Sequence, residues 1–335
     1  MYAGFLVSFG LASRMRRFTA VFENSSEPLG VLIAATIIVA VGLMDDLKKS
    51  DPRVAEPEGI SAPAKVAGLV VAGAVLAILG VTMWHFRVPS FLGRQVLVLP
   101  TDLRPLVTIV WLLGMTNAIN LIDGLDGLAA GIVAIGSGTF FLYSRHLDNS
   151  GLLFGPSIGP LIAVIVLGIC LGFLPYNFHP ARIFMGDSGA LLLGGLMAVC
   201  TAVVGGRAAP AEGTPGAQGQ TFFFFAPLFI PLVILGVPMF DVAFAIVRRA
   251  TKRQGITGAD KGHLHHRLMR LGHGHRRSVL ILWLWTALLS AVVLYPAISR
   301  RGNGLVMVAL LALGLGLYTI LHPEVRRRNE TTESG

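Results

Sequence analysis

The sequence predicts an all-α, polytopic membrane protein, and three observations carry that expectation. The 335 residues are 54% hydrophobic and only 13% charged, a balance outside that of ordinary soluble domains. The apolar residues come in unbroken blocks rather than at amphipathic spacing. The polar clusters fall between the blocks. A soluble protein with several buried helices would share the composition, but not this succession of bilayer-length runs.

Hydropathy places about ten spans, at 1–12, 28–44, 64–83, 105–121, 128–143, 157–174, 189–205, 222–247, 278–298 and 303–321. The first is too short to cross a bilayer of about 30 Å at about 1.5 Å per residue. The eighth carries Pro227, Pro231, Gly236 and Pro238, which predict a kink or break. Phe222–Phe225 at its entrance reads as an interfacial anchor. The Gly-, Ala- and Pro-rich stretch 206–220 reads as a loop without chemistry. Residues 1–321 form one integral-membrane domain in this reading, with 322–335 a cytoplasmic tail. Cys170 and Cys200 lie inside apolar runs, without metal or pairing spacing, and read as small core residues.

Alternating the spans puts the loops 45–63, 122–127, 175–188 and 248–277 and the tail 322–335 on one face. With Lys65 at the mouth of the third span, that face holds 17 of the 27 Lys and Arg. Positive residues concentrate on the cytoplasmic side, so this face is predicted cytoplasmic. The formal charge of +9 is then a membrane signature rather than a nucleic-acid one. Every polar cluster of note falls on the same face.

The central cluster is NAINLIDGLDG, residues 117–127. Asn117, Asn120, Asp123 and Asp126 recur at steps of three, and neighbours in that series share a helix face. Gly124 and Gly127 predict that the helix ends here and sets both aspartates on a turn. Asp-Gly pairs form turns in any protein, but acids and amides at a membrane edge are costly and mark a functional site. Asp45 and Asp46, in DDLKK, are adjacent carboxylates that repel unless a cation or proton intervenes. Lys48 and Lys49 offer local neutralisation; the functional alternative is a magnesium or phosphate site with Lys49 and Lys65 as phosphate partners.

The stretch YNFHPARIFMGDSG ends at a predicted helix start. Asp187 or Ser188 there reads either as an N-cap or as part of an anion cradle in which Asp187 holds a hard metal. The loop 248–277 combines Arg and Lys with His263, His265, His266 and Arg267. Zinc competes with a phosphate for these imidazoles, and the flanking cations favour the phosphate. His273 and His275 continue the histidine bias without an assigned role. Asp241, low in the eighth span, requires a partner such as Arg248 or a metal. Carboxylates for a hard metal and cations for phosphates, level with the membrane surface, suit phosphoryl transfer.

These five motifs, DDLKK, NAINLIDGLDGLAAG, NFHPARIFMGDSGA, PMFDVAFAIVRR and GHLHHRLMRLG, resemble the polyprenyl-phosphate N-acetylhexosamine-1-phosphate transferase family. The form HLHHRL is similar to the branch that uses UDP-GlcNAc rather than the muramoyl-pentapeptide branch. The resemblance implies transfer of GlcNAc-1-phosphate from UDP-GlcNAc to polyprenyl phosphate, giving polyprenyl-diphosphate-GlcNAc and UMP. It implies Mg²⁺, with Mn²⁺ as a substitute, and a multi-pass location in the bacterial inner membrane with a cytoplasmic site. The product would open synthesis of an envelope polysaccharide such as lipopolysaccharide, and a homodimer is the assembly to test.

By resemblance, Asp187 is the metal ligand. Asp45 acts on the lipid phosphate with Asp46 beside it, and Lys49 and Lys65 are phosphate contacts. Asn117, Asn120, Asp123 and Asp126 organise nucleotide and metal. Asn177 precedes the metal ligand, and His263, His265, His266 and Arg267 engage the diphosphate. The family carries one further span and a basic loop upstream, so a late start of this sequence is expected. A transporter would instead place charges at mid-span and show repeat symmetry. A lipid-phosphate phosphatase would not need the basic histidine loop.

Overall fold

A computed structural model describes residues 1–23, 25–50, 59–87, 96–151, 153, 156–204, 274–298 and 310–314. The eighth span, most of the loop 248–277 with His263, His265, His266, Arg267 and Asp241, and the tail 322–335 lie outside the described residues. Apart from one short hairpin, the regular structure of the described residues is helical, as predicted. The helices are α1 (Tyr2–Ser13), α2 (Thr19–Glu23), α3 (Glu27–Lys49), α4 (Ala62–Ile78), α5 (Arg104–Ile122), α6 (Leu128–Asn149), α7 (Gly159–Asn177), α8 (Gly186–Val204) and α9 (His275–Ile298). Among the described residues α3, α5, α6, α7 and α8 are long and apolar enough to cross a membrane, while α1 and α4 are shorter apolar helices.

Four local features depart from the hydropathy reading: α4 ends at Ile78 rather than at residue 83, α6 continues to Asn149 rather than ending at 143, and two others bear on the fold. The link between α4 and α5 forms a short antiparallel hairpin, β1 (His85–Arg87) on β2 (Val96–Val98), with His85 opposite Val98. Helix α3 runs through DDLKK to Lys49, past the predicted end at residue 44. Asp45, Asp46 and Lys49 therefore sit on its last turn and a half rather than in a loop.

Helix α8 is the centre of the bundle. Every residue from Gly189 to Val204 is buried, and α3, α5 and α7 pack around it. Lipid tails are as apolar as leucine, so such packing depends on close contact at small residues. A Cβ on Gly194 would lie 2.6 Å from the Cα of Thr116 on α5. One on Gly42 of α3 would lie 2.4 Å from the Cα of Ser188. Glycine at both places lets the backbones touch. A buried hydrogen bond from Trp111 Nε1 to Thr201 Oγ1, 2.7 Å long, adds a polar tie between α5 and α8. Cys170 and Cys200 are buried free thiols in this packing.

The alternation of helices brings the C-terminal ends of α3, α5 and α7 and the N-terminal ends of α4, α6, α8 and α9 to one end of the bundle. The hairpin follows the other end of α4. The polar clusters in the described residues are therefore gathered, as the loop count predicts, at a single end.

Candidate active site

Three helix ends build the first half of the site. Asp45, on α3, is 1% exposed. Its Oδ1 accepts a hydrogen bond from the Ile60 backbone N–H at 2.9 Å. Its Oδ2 pairs with Lys49 Nζ at 2.6 Å and with Lys65 Nζ of α4 at 3.2 Å. The same two ammonium groups reach Asp187 at the start of α8, Lys49 at 3.3 Å and Lys65 in close contact. Two carboxylates and two ammoniums thus alternate around a ring joining α3, α4 and α8.

Asp46 does something different from its neighbour. Its Oδ1 accepts the Asp187 backbone N–H at 2.9 Å and its Oδ2 accepts that of Ser188 at 3.0 Å. These are free donors of a helix N-terminus, where a carboxylate is favoured by charge and by hydrogen bonding. The sequence offers Asp187 or Ser188 as the cap, or an incoming anion in the cradle. The structure fills the cradle with Asp46 from another helix. Gly186, at φ +65°, makes the turn, and a Cβ there would lie 2.7 Å from Asp46 Oδ2. Asp46 is consequently a positioning residue: it aims Asp187, while Asp187 and Asp45 face the lysines.

The second half comes from the α5–α6 and α7–α8 connections. Helix α5 ends at Ile122, Asp123 caps it, and Gly127 at φ +80° opens α6. The predicted turn is therefore present, with both aspartates on it. Asp123 is pushed up to about 7 from 3.8, by burial first and then by the negative charges of Asp187, Asp126 and Asp46. Burial also raises Asp126, but hydrogen bonds from His179 and the Ala181 N–H outweigh it and hold this carboxyl below the usual range. Its Oδ2 lies 2.8 Å from His179 Nδ1 and 3.1 Å from the Ala181 nitrogen.

Asn177 sits buried at the end of α7. Its Oδ1 accepts from the Gly127 N–H at 3.0 Å, and its Nδ2 donates to the Ile183 carbonyl at 3.0 Å. Both ends of the amide bind backbone, so Asn177 ties one loop to the other instead of reaching a ligand. Asn117 is exposed on α5 and donates to the Leu113 carbonyl of its own helix at 2.7 Å. Asn120, a turn nearer the site, is half-buried.

Sequence reasoning gave no role to His179, His275 or Arg276. The His179 and His275 rings stack at 4.1 Å, and Arg276 Nε donates to the His179 carbonyl at 2.9 Å. The signal for His179 is its place in the NFHPARIFMGDSGA motif, and for His275 the histidine bias before α9.

Asp45, Asp46 and Asp187 offer carboxylate oxygens within 4.8 Å of one another. Asp123 and Asp126 lie on the adjoining turn, and of these five acids only Asp45 and Asp187 pair with lysines among the described residues. That excess of negative charge, and oxygen-only donors, fit a hard divalent cation. The ammoniums between Asp45 and Asp187 mark where positive charge is held.

The profile of the family described as Glycosyl transferase family 4 matches residues 28–205, just over half of the chain. The chain belongs to this family. The match runs from α3 to α8 and so takes in Asp45, Asp46, Lys49, Lys65, Asp123, Asp126, Asn177 and Asp187. A decaprenyl-phosphate N-acetylglucosaminephosphotransferase of Mycobacterium leprae (strain TN) is 36% identical over 338 residues, covering 98% of this chain and 79% of that protein. The protein of the same name in Mycolicibacterium smegmatis is 34% identical over 98% of this chain and 77% of its own length. A phospho-N-acetylmuramoyl-pentapeptide-transferase of Staphylococcus epidermidis (strain ATCC 12228) is 32% identical over 58% of each chain. Membership of the family, the enzyme class and the multi-pass membrane architecture agree with the sequence reading.

Proposed function

We propose that the protein transfers GlcNAc-1-phosphate from UDP-GlcNAc to polyprenyl phosphate, at the cytoplasmic face of a bacterial inner membrane. A terminal phosphate oxygen of the lipid attacks the β-phosphorus of the nucleotide. The bond between that phosphorus and the bridging oxygen breaks, and UMP leaves with that oxygen. The products are polyprenyl-diphosphate-GlcNAc and UMP, the first lipid-linked intermediate of an envelope polysaccharide. The observation that carries the reading is the ring of Asp45, Lys49, Asp187 and Lys65 at the ends of membrane helices. It stores phosphate-binding cations and cation-binding carboxylates at the depth of a lipid headgroup. The relatives named for GlcNAc-phosphate transfer align over nearly the whole chain, which supports this donor over the muramoyl-pentapeptide one.

Mg²⁺, with Mn²⁺ as a substitute, would be held by Asp187 with Asp45 alongside, and would neutralise the phosphate oxygens of both substrates. The residues of the chain supply the rest. Lys49 and Lys65 release their carboxylates and pair with the lipid phosphate. Asp46 keeps Asp187 fixed while this exchange takes place. Asp45 need not act as a base, because a phosphate monoester with a second pKa of about 6 is largely dianionic near neutral pH. Its oxygens hold the Ile60 N–H and the two lysines, an arrangement for electrostatic positioning. Asp123, Asp126 and the Asn177-tied loops form the side of the site that faces the sugar nucleotide.

The test is label transfer from UDP-GlcNAc into extractable lipid, with Mg²⁺ withheld as the control. Asp187→Asn is expected to abolish labelling while the protein stays in the membrane. Full labelling by that variant would remove Asp187 as the metal ligand.

A further inference from the structure

At the start of α9, His275 and Arg276 pack on His179, which contacts Asp126. Asp126 on the α5–α6 turn, His179 on the α7–α8 loop and His275 on α9 offer ligand-type atoms within 4.8 Å, which raises a second metal site. The ring geometry argues against it. Imidazole lone pairs lie in the ring plane, and these planes are 17° from parallel with centroids 4.1 Å apart. One ion cannot lie in both planes, as tetrahedral coordination by two imidazoles requires.

What the contacts form is a bracket. His179 is held on three sides: Nδ1 on Asp126 Oδ2, one ring face on His275, and its carbonyl on Arg276 Nε. Because the carboxylate carries no proton, Nδ1 is the donor. Together with the Ala181 N–H this occupies Oδ2 and leaves Oδ1 without a partner among the described residues. A fixed carboxylate oxygen is an acceptor that repels phosphate. Of the two proposed substrates, the lipid head is a bare phosphate with no donor group. The sugar nucleotide carries hydroxyl, amide and imide donors.

We infer that His179, braced by His275 and Arg276, is a positioning residue that holds Asp126 for a hydrogen bond from the sugar nucleotide and has no part in binding the lipid phosphate. This rests on the transfer reaction proposed above. The two partners of His179 separate its functions. His179→Phe keeps a ring for the stack but has no donor, whereas His179→Asn keeps a donor near the Nδ1 position but has no ring.

Full-length wild type and both variants are assayed in detergent with UDP-GlcNAc and a short-chain polyprenyl phosphate, each varied in turn. His179→Phe is expected to raise the KM for UDP-GlcNAc about tenfold or more, the scale of one charge-assisted hydrogen bond. The KM for the lipid and the yield of folded protein stay unchanged. His179→Asn is expected to recover most of the nucleotide affinity. The inference is overturned if His179→Phe shows wild-type kinetics, if both KM values rise together, or if the Asn variant is as impaired as the Phe variant. If wild type transfers no label, the functional reading falls and takes the inference with it; an active wild type with an indifferent Phe variant removes the inference alone.

Discussion

Replacing Asp46 distinguishes a group that holds from a group that reacts. The carboxylate accepts two backbone N–H groups of α8 at 2.9 and 3.0 Å. A hydrogen bond to a charged group contributes about 1.5–3 kcal/mol, and loss of a helix cap costs about 0.5–2 kcal/mol. Two such bonds total about 3–6 kcal/mol, so between that and the cap scale Asp46→Ala should destabilise the protein by about 2–4 kcal/mol. Asp46→Asn keeps one acceptor but turns an amide NH₂ toward the second N–H, so it should lose about half as much. For a chain of this size the Ala variant should unfold about 3–6 °C below wild type. Thermal unfolding in detergent, read beside label transfer, provides the assay. The expected pattern is graded: Asn intermediate and Ala lowest, with activity falling alongside the midpoint because Asp187 loses its anchor. An unchanged midpoint with abolished transfer would refute the cap and return Asp46 to the chemistry.

Two further outcomes follow from the same geometry. Asp123, raised to about 7, keeps its proton in the folded state where the unfolded chain has lost it, so metal-free wild type should lose stability as pH rises from about 4 through 7. Asp123→Asn should flatten that decline in unfolding scans at about pH 5 and pH 8; a parallel decline in both proteins would refute the assignment. Gly42→Ala places a methyl 2.4 Å from the Ser188 Cα, and overpacking of this kind costs about 1–3 kcal/mol. It should lower the midpoint and, by shifting α8 against α3, reduce transfer; a variant with wild-type midpoint and rate would show that the helices separate freely.

Much of the architecture was legible in the sequence because a bilayer imposes length and polarity on whole segments. The ends of α5, α7 and α8 fall within three residues of the hydropathy reading, whereas α6 continues to Asn149, six residues past it, because its last turns are polar. The Asp123–Gly127 turn was legible for a local reason, since Gly127 adopts a positive φ that glycine favours. Helix α3 was read too short because DDLKK looks like a loop by hydropathy, although its Asp45–Lys49 spacing is that of a helical ion pair. The short hairpin at 85–98 carries too few residues for a periodic signal.

In the site, residue types were legible but their partners were not. DDLKK and MGDSG identify the acids. Nothing local says that Asp46 caps a helix 141 residues further on. Asn177 has the composition of a ligand but serves as a tie, because only the fold brings Gly127 and Ile183 to its two ends. His179 and His275 were passed over for the same reason: the stack that gives them a role joins elements almost a hundred residues apart.

The most direct measurement of the central claim uses a donor labelled twice, with ³²P in the β-phosphate and ³H in the sugar. Transfer of a sugar phosphate delivers both labels to the lipid in equal proportion and releases UMP. Lipid carrying the sugar label alone, with UDP released, would contradict the account.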